Sequence, residues 1–175
     1  MDFAQYLVNH PFEITHVEED ESIQDSGDVI ERLTQLEFAA LQVFFRYQYV
    51  AISGPTGSGK TILAITRLQE LIKSNKRAIY FCYTKQLAEN LRRQHPDLSH
   101  VIHSIDAFFK QQMLHIDPSQ NDPDTYFQNT LPSKVYDHYE IVTNQKKYDA
   151  VILDEGQDFN SERIWAVNTM CKKKG

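Results

Sequence analysis

The segment from Tyr49 to Glu70 reads YVAISGPTGSGKTILAITRLQE, and its order of apolar run, glycine-rich loop and amphipathic run decides the fold. Tyr49 to Ser53 have strand character. Glycines at 54, 57 and 59 follow, and then Lys60 and Thr61 open a stretch in which Ile62, Ile65, Leu68 and Leu71 or Ile72 recur at helical spacing. Gly54, four residues, and then Gly59, Lys60 and Thr61 fit the phosphate-binding pattern G-x-x-x-x-G-K-[ST]. Glycine lets backbone N–H groups turn inward without a side-chain clash, and the positive end of the following helix points at the same place. Gly54, Pro55, Thr56, Gly57, Ser58, Gly59, Lys60 and Thr61 are therefore the expected cradle for the phosphates of a nucleotide such as ATP. Lys60 would neutralise the β- and γ-phosphates, and the Thr61 hydroxyl would take one coordination position of Mg²⁺. A glycine-rich turn without a ligand would show the same letters, but this match falls between a strand and a helix, where the mechanism needs it.

Phosphate binding alone does not imply hydrolysis, which needs groups for the metal and for water. YDAVILDEGQDF, from Tyr148 to Phe159, supplies them. Ala150 to Leu153 form an apolar strand, and Asp154 and Glu155 stand at its carboxyl end, the edge of a parallel sheet where ligands bind. Asp154 is the candidate metal ligand. Glu155 is the candidate base for the attacking water, and Gln157, which donates and accepts hydrogen bonds at once, suits sensing of the γ-phosphate. A strand ending in an ordinary acidic turn is the plain alternative.

Between these segments, short apolar runs alternate with helical patterns. Val29 to Phe45 carries a helical pattern ahead of the first strand. Arg77 to Tyr83 (RAIYFCY) reads as a second buried strand, with Thr84 capping a helix KQLAENLRRQ. His100 to His103 reads as a short third strand entering a helix through Ser104. Residues 116 to 123 form a loop with two prolines, and the segment to about Lys147 is helical with a break at Pro132. Strands alternating with helices predict an α/β fold, a parallel sheet with helices on both faces.

The chain has 175 residues, 41% of them hydrophobic, enough for the core of one ordinary domain. No stretch reaches the roughly 20 apolar residues of a membrane span, and the N-terminus lacks the pattern of a signal peptide, so a cytoplasmic protein is expected. Cys82 and Cys171 have neither metal-ligand spacing nor a disulfide framework. The net charge of -6 is uneven: residues 1–30 hold eight acidic residues and no Lys or Arg, leaving 18 basic against 16 acidic residues beyond them. Residues 1–28 read as a solvated acidic arm and 29–175 as the domain. A near-neutral domain excludes a broadly basic nucleic-acid surface but allows a groove with a few local cations.

GPTGSGKT together with DEGQD resembles motifs I and II of superfamily 1 helicases of the UvrD/Rep kind, in the branch found with nuclease-related domains. The resemblance runs from about Leu33 to Trp165 and implies a RecA-like P-loop NTPase domain, the N-terminal ATP-binding one of two. IYFCYTKQLAENLRR resembles motif Ia and HVIHSIDAFF motif Ib, which in the family line the groove for single-stranded DNA. Thr84, Lys85 and His103 become candidate DNA contacts by position, with Arg92 and Arg93 nearby as phosphate partners. For Thr84, helix capping is an equal alternative.

The pattern also has departures. In the family a glutamine upstream of motif I reads the adenine; LTQLEFAAL supplies Gln35, whereas the most natural register places Glu37 there. Motif Ib has Val101 and Ile102 where an aromatic residue is usual before the histidine. The family's motif III strand, which lies between the motif I and motif II strands, and its second RecA-like domain have no counterpart in these residues, so a partial domain with slow turnover and no autonomous unwinding is expected. That second domain, in cis or in trans, is an expected partner and the source of arginine fingers worth about 10³ to 10⁵ in rate. Two other readings stay open: a nucleotide-binding scaffold without turnover, and a P-loop phosphotransferase. Against the latter, Ile116 to Asn129 contains no Arg or Lys for a phosphate lid.

Overall fold

A computed structural model of the chain describes residues 12–13, 50–54, 57–113 and 122–173. The helical pattern over Val29 to Phe45, together with Gln35, Pro55 and Thr56, lies outside them. The chain divides into two compact units, residues 1–65 and 66–175, with the boundary inside helix α1 (Lys60–Lys73).

In the first unit, β1 (Phe12–Glu13) pairs in parallel with β2 (Ile52–Ser53), with Phe12 opposite Ile52 and Glu13 opposite Ser53. Among the described residues 50–53 of the predicted Tyr49–Ser53 run, regular strand occupies the last two. Helix α1 begins at Lys60 as expected. Leu63, Ile65, Leu68 and Leu71 are its buried apolar residues, while Ile62 is 47% exposed, contrary to the expectation that it joins the core. At about 100° per residue the four buried positions share one broad arc, and Ile62 falls outside it. The helix stops in a Schellman motif: the Asn75 amide donates to the Ile72 carbonyl, the Lys76 amide donates to the Leu71 carbonyl, and Asn75 adopts φ 55°.

The second unit is built on a parallel three-stranded sheet in the order β4-β3-β5, from β3 (Ala78–Cys82), β4 (Ile102–Ser104) and β5 (Ala150–Leu153). Tyr80 stands opposite Ile102 on one side and Ile152 on the other. All five residues of β3 are buried, as a central strand of a covered sheet requires. Helix α2 (Lys85–Gln94) connects β3 to β4 and matches the predicted KQLAENLRRQ, with the Thr84 hydroxyl accepting the Leu87 amide at 3.2 Å. Helix α3 (Ile105–Gln112) follows β4.

The return to β5 is where expectation and structure part. Pro132 does not break the helix. A turn at Pro123–Thr125 runs into a π-helical turn, Tyr126–Thr130, and on into α4 (Leu131–Ile141), so Pro132 sits in the first turn of α4. The Gln128 carbonyl, four residues back, which the missing proline amide would have met, accepts Asn160 Nδ2 at 2.9 Å instead. The α-helix ends at Ile141, and a 3₁₀ turn at Asn144–Lys146 follows before the expected end near Lys147. Helix α5 (Ser161–Met170) follows β5.

Strand order then fixes the layers. The step from β3 to β4 moves one way across the sheet and the step from β4 to β5 moves back past β3, so right-handed crossovers put α2 on one face and α3 and α4 on the other. A single cluster agrees: Ile79 and Phe81 pack with Ile105, Phe108, Phe109, Leu131, Val135, Tyr139, Ala166, Val167 and Met170. Phe81 meets Phe108 edge-on, with ring centroids 5.1 Å apart. After α5 the chain returns beside β5, where the Tyr148 amide donates to the Met170 carbonyl and the Lys172 amide to the Tyr148 carbonyl. The Asp149 amide points the other way, to the Arg77 carbonyl. Alternation along a parallel strand therefore turns Ala150 and Ile152 toward the edge that Lys172 begins to cover.

The neighbours β3 and β5 thus send their helices to opposite faces. The crevice between their carboxyl ends is the place where open α/β sheets bind ligands.

Candidate active site

The first unit holds most of the phosphate loop. Gly57 and Gly59 adopt φ of 85° and 79°, a region L side chains avoid, and a Cβ at either would meet no atom within 4 Å. A Cβ on Gly54 would lie 2.9 Å from the Ser58 hydroxyl. Among the described residues Ser58 Oγ is buried with no hydrogen-bond partner, a condition that calls for a ligand or water. Lys60 Nζ donates to the Gly54 carbonyl at 2.9 Å, so its ammonium lies back along the loop. The Leu63 amide closes on the Gly59 carbonyl at 3.0 Å to start α1, whose first turn carries no acidic residue. A loop of left-handed glycines with an orphaned buried hydroxyl, an ammonium and the positive end of a 14-residue helix fits a phosphate.

The second unit holds the carboxylates. Asp154 follows β5 and is 4% exposed. Its amide donates to the Phe81 carbonyl at 3.0 Å, turning back toward β3 just past the end of β5. Its two carboxylate oxygens have different donors: Oδ1 accepts the Glu155 amide at 3.1 Å and Oδ2 accepts the Tyr80 hydroxyl at 2.7 Å. Glu155 has φ 53° and ψ 50°, left-handed for a non-glycine residue, a strain that collects at functional positions. This turn aims its side chain at Gln157, whose Nε2 donates to Glu155 Oε2 at 2.6 Å. Asp154, Glu155 and Gln157 thus stand together after the end of β5. An aspartate oxygen is a hard donor, and magnesium takes one or two such groups along with substrate phosphates. The donor chemistry fits the ion.

Two features beneath the carboxylates escape sequence reading. Tyr80 is one; burial, reinforced by its bond to Asp154, raises its pKa and keeps the phenol a neutral donor. The other is Arg163, 1% exposed in the first turn of α5. Its Nε and Nη2 donate to Asp106 Oδ1 at 3.1 and 3.0 Å, and its Nη1 donates to Gln128 Oε1 at 2.6 Å. Asn160 Nδ2 donates to the Gln128 carbonyl at 2.9 Å, and Asn160 Oδ1 caps α5 by accepting the Arg163 amide. The guanidinium lies over the Tyr83 ring, which meets Phe159 edge-on at 5.7 Å. One buried cation thereby joins α3, the π-helical turn and the segment after Glu155.

The candidate nucleic-acid residues lie along α2 and β4. Thr84, Lys85 and Arg93 are exposed. Lys85 makes an exposed pair with Glu89 at 3.7 Å, and Arg92 Nε donates to the Ala88 carbonyl at 3.3 Å. His103, on β4, is half-buried against Phe108 and lies 3.2 Å from the His100 carbonyl. Burial lowers its pKa, and Arg92 adds to this. The structure shows Thr84 as the α2 cap.

A parallel α/β sheet that presents an Asp-Glu pair at a strand end, in a chain with a glycine phosphate loop, defines a RecA-like P-loop ATPase domain. The family model for the DEAD/DEAH box helicases matches residues 34–174, and the chain belongs to that family. Comparison with curated proteins and with solved structures gives no match. The chain therefore carries the ATP-binding domain of a nucleic-acid helicase-like ATPase. Among the described residues no helix is long and apolar enough to cross a membrane.

Proposed function

We propose that this chain is the N-terminal ATP-binding part of a superfamily 1 helicase-like ATPase of the UvrD/Rep kind, acting on single-stranded DNA. Gly54 to Thr61 hold the phosphates, with Lys60 on the β- and γ-oxygens. Thr61 and Asp154 hold magnesium, which supplies charge neutralisation on the phosphates. Glu155 takes a proton from water, and Gln157 orients Glu155 and reads the γ-phosphate. Thr84, Lys85, Arg92, Arg93 and His103 form the DNA-facing surface, reached through the same strand β3 whose Tyr80 meets Asp154. A second RecA-like domain, in the same polypeptide or in a partner, supplies the arginine fingers.

The observation that carries this reading is the buried Asp154 fixed at the β3–β5 crevice beside a strained Glu155. DEGQD rather than DEAD or DEAH in that turn, with IYFCYTK on the neighbouring strand, favours the superfamily 1 branch.

ATP turnover measured with and without single-stranded DNA tests the proposal, with Lys60→Ala as control. Slow turnover that rises with DNA and disappears in the Lys60 variant is expected. Tight binding of Mg-ATP with no turnover in either condition would replace the motor reading with a scaffold, and phosphate transfer to a small acceptor would point to a phosphotransferase.

A further inference from the structure

We infer that Tyr80 is a positioning residue for the metal: its hydroxyl sets the orientation in which Asp154 presents its carboxylate to magnesium. The inference rests on the reading of Asp154 as a magnesium ligand and goes beyond the candidate site residues, none of which lies on β3.

Register explains why a tyrosine is needed. Phe81 stands opposite Leu153, the last residue of β5, so Asp154 lies just past the end of the pairing, with Tyr80 on the neighbouring strand one residue before Phe81. A long side chain is needed to reach from β3 to that carboxylate, and a tyrosine supplies both the length and a terminal donor. The ring has no freedom to do otherwise: Tyr80 is 0% exposed in the central strand, with Ile79 and Phe81 on the opposite face of the sheet. Its hydroxyl reaches Asp154 Oδ2 at 2.7 Å, the usual length for such a bond. The other oxygen is held by the Glu155 amide. One donor on each oxygen fixes the carboxylate's plane, and the Glu155 amide belongs to the left-handed turn that aims the Glu155 side chain. The metal ligand and the base are thus oriented by one short piece of chain, which Tyr80 anchors from the next strand. Outer partners of this kind typically change metal affinity 10- to 100-fold when removed.

Tyr80→Phe keeps the ring and deletes only the donor. Binding of ATP bearing a fluorescent N-methylanthraniloyl group is measured against Mg²⁺ concentration and again in EDTA, for wild type, Tyr80→Phe and Asp154→Asn, with near-UV circular dichroism as the check on packing. The expected result is a rise of about 10-fold or more in the Mg²⁺ concentration needed for half the metal-dependent gain in affinity for Tyr80→Phe. Binding in EDTA should stay at the wild-type value. A normal Mg²⁺ response in Tyr80→Phe, with the response lost in Asp154→Asn, overturns the inference and leaves Asp154 as the ligand. Equal weakening of Tyr80→Phe in EDTA and in Mg²⁺ overturns it too, since the effect is then on packing. A normal response in Asp154→Asn removes the ligand reading itself and the inference with it.

Discussion

Asp106→Ala should destabilise the second unit more than Arg163→Met, although each removes one half of the same ion pair. The asymmetry comes from burial. The Arg163 side chain is 2% exposed and that of Asp106 34% exposed. Deleting Asp106 strands a guanidinium that water cannot reach, with Gln128 Oε1 still accepting from its Nη1, and removing one partner of a buried pair costs about 3–5 kcal/mol. Asp106 also lies in the first turn of α3, where losing a carboxylate adds about 0.3–1 kcal/mol from the helix dipole. Arg163→Met instead leaves a carboxylate that water can reach, and the methionine refills much of the space. Its cost is the net worth of charge-assisted hydrogen bonds, about 1.5–3 kcal/mol. Once Arg163 is gone, removing Asp106 should cost little beyond the dipole contribution, so the double variant should lie near Arg163→Met and far from the sum of the two. Urea unfolding followed by circular dichroism, at matched m-values, measures all three. Arg163→Met costing as much as Asp106→Ala, or an additive double variant, would refute the claim that the trapped guanidinium dominates.

Glu155→Gln should keep Mg-ATP binding and abolish turnover, because the amide still fills the turn but accepts no proton; surviving hydrolysis in a phosphate-release assay would place the base elsewhere. Replacing Lys85, Arg92 and Arg93 with alanine should lower affinity for single-stranded DNA and flatten its salt dependence, as lost phosphate contacts require, and unchanged titrations at two salt concentrations would move the groove off α2. His103 has a lowered pKa in the folded state, chiefly from burial, so the unfolded chain binds its proton more readily. Its share of stability is intact above the unfolded pKa of 6.5 and is lost as pH falls through the folded value. His103→Asn should therefore lessen the loss of stability on acidification below that pH; parallel unfolding midpoints for the two proteins would count against it.

Local chemistry made much of the fold legible. Thr84 before KQLAENLRRQ, glycine punctuation before Lys60, and the apolar AVIL run before two acids each carry their own boundary, and the helices and strands start where these signals stand. What failed depended on surroundings. Ile62 is apolar and near helical spacing, yet its side of α1 is exposed. Pro132 reads as a breaker in isolation, but the helix runs through it from the widened turn at Tyr126–Thr130, and Asn160, from a distant segment, satisfies the Gln128 carbonyl.

Motifs identify the residues that touch a ligand; they do not identify what holds those residues still. Tyr80 and Asp154 are 74 positions apart, and only the β3–β5 register makes them partners. Arg163, inside NSERIWAVNTM, looks like one polar residue on an amphipathic helix, and its burial becomes intelligible only when Asp106, 57 positions earlier, is set against it. Both supports run from the segment around Asp154 and Glu155 to elements that follow or precede the candidate DNA surface: Tyr80 sits on the strand leading into Thr84, and Asp106 on the helix after His103. A perturbation of that surface that shifted β3 or α3 would act on the carboxylates through these two bonds, without a residue from either motif being changed. Such a shift would have a signature: Tyr80→Phe should reduce the stimulation of turnover by DNA more than it reduces turnover without DNA. Equal reductions in steady-state rates with and without DNA would show that β3 holds Asp154 but carries nothing from the DNA side.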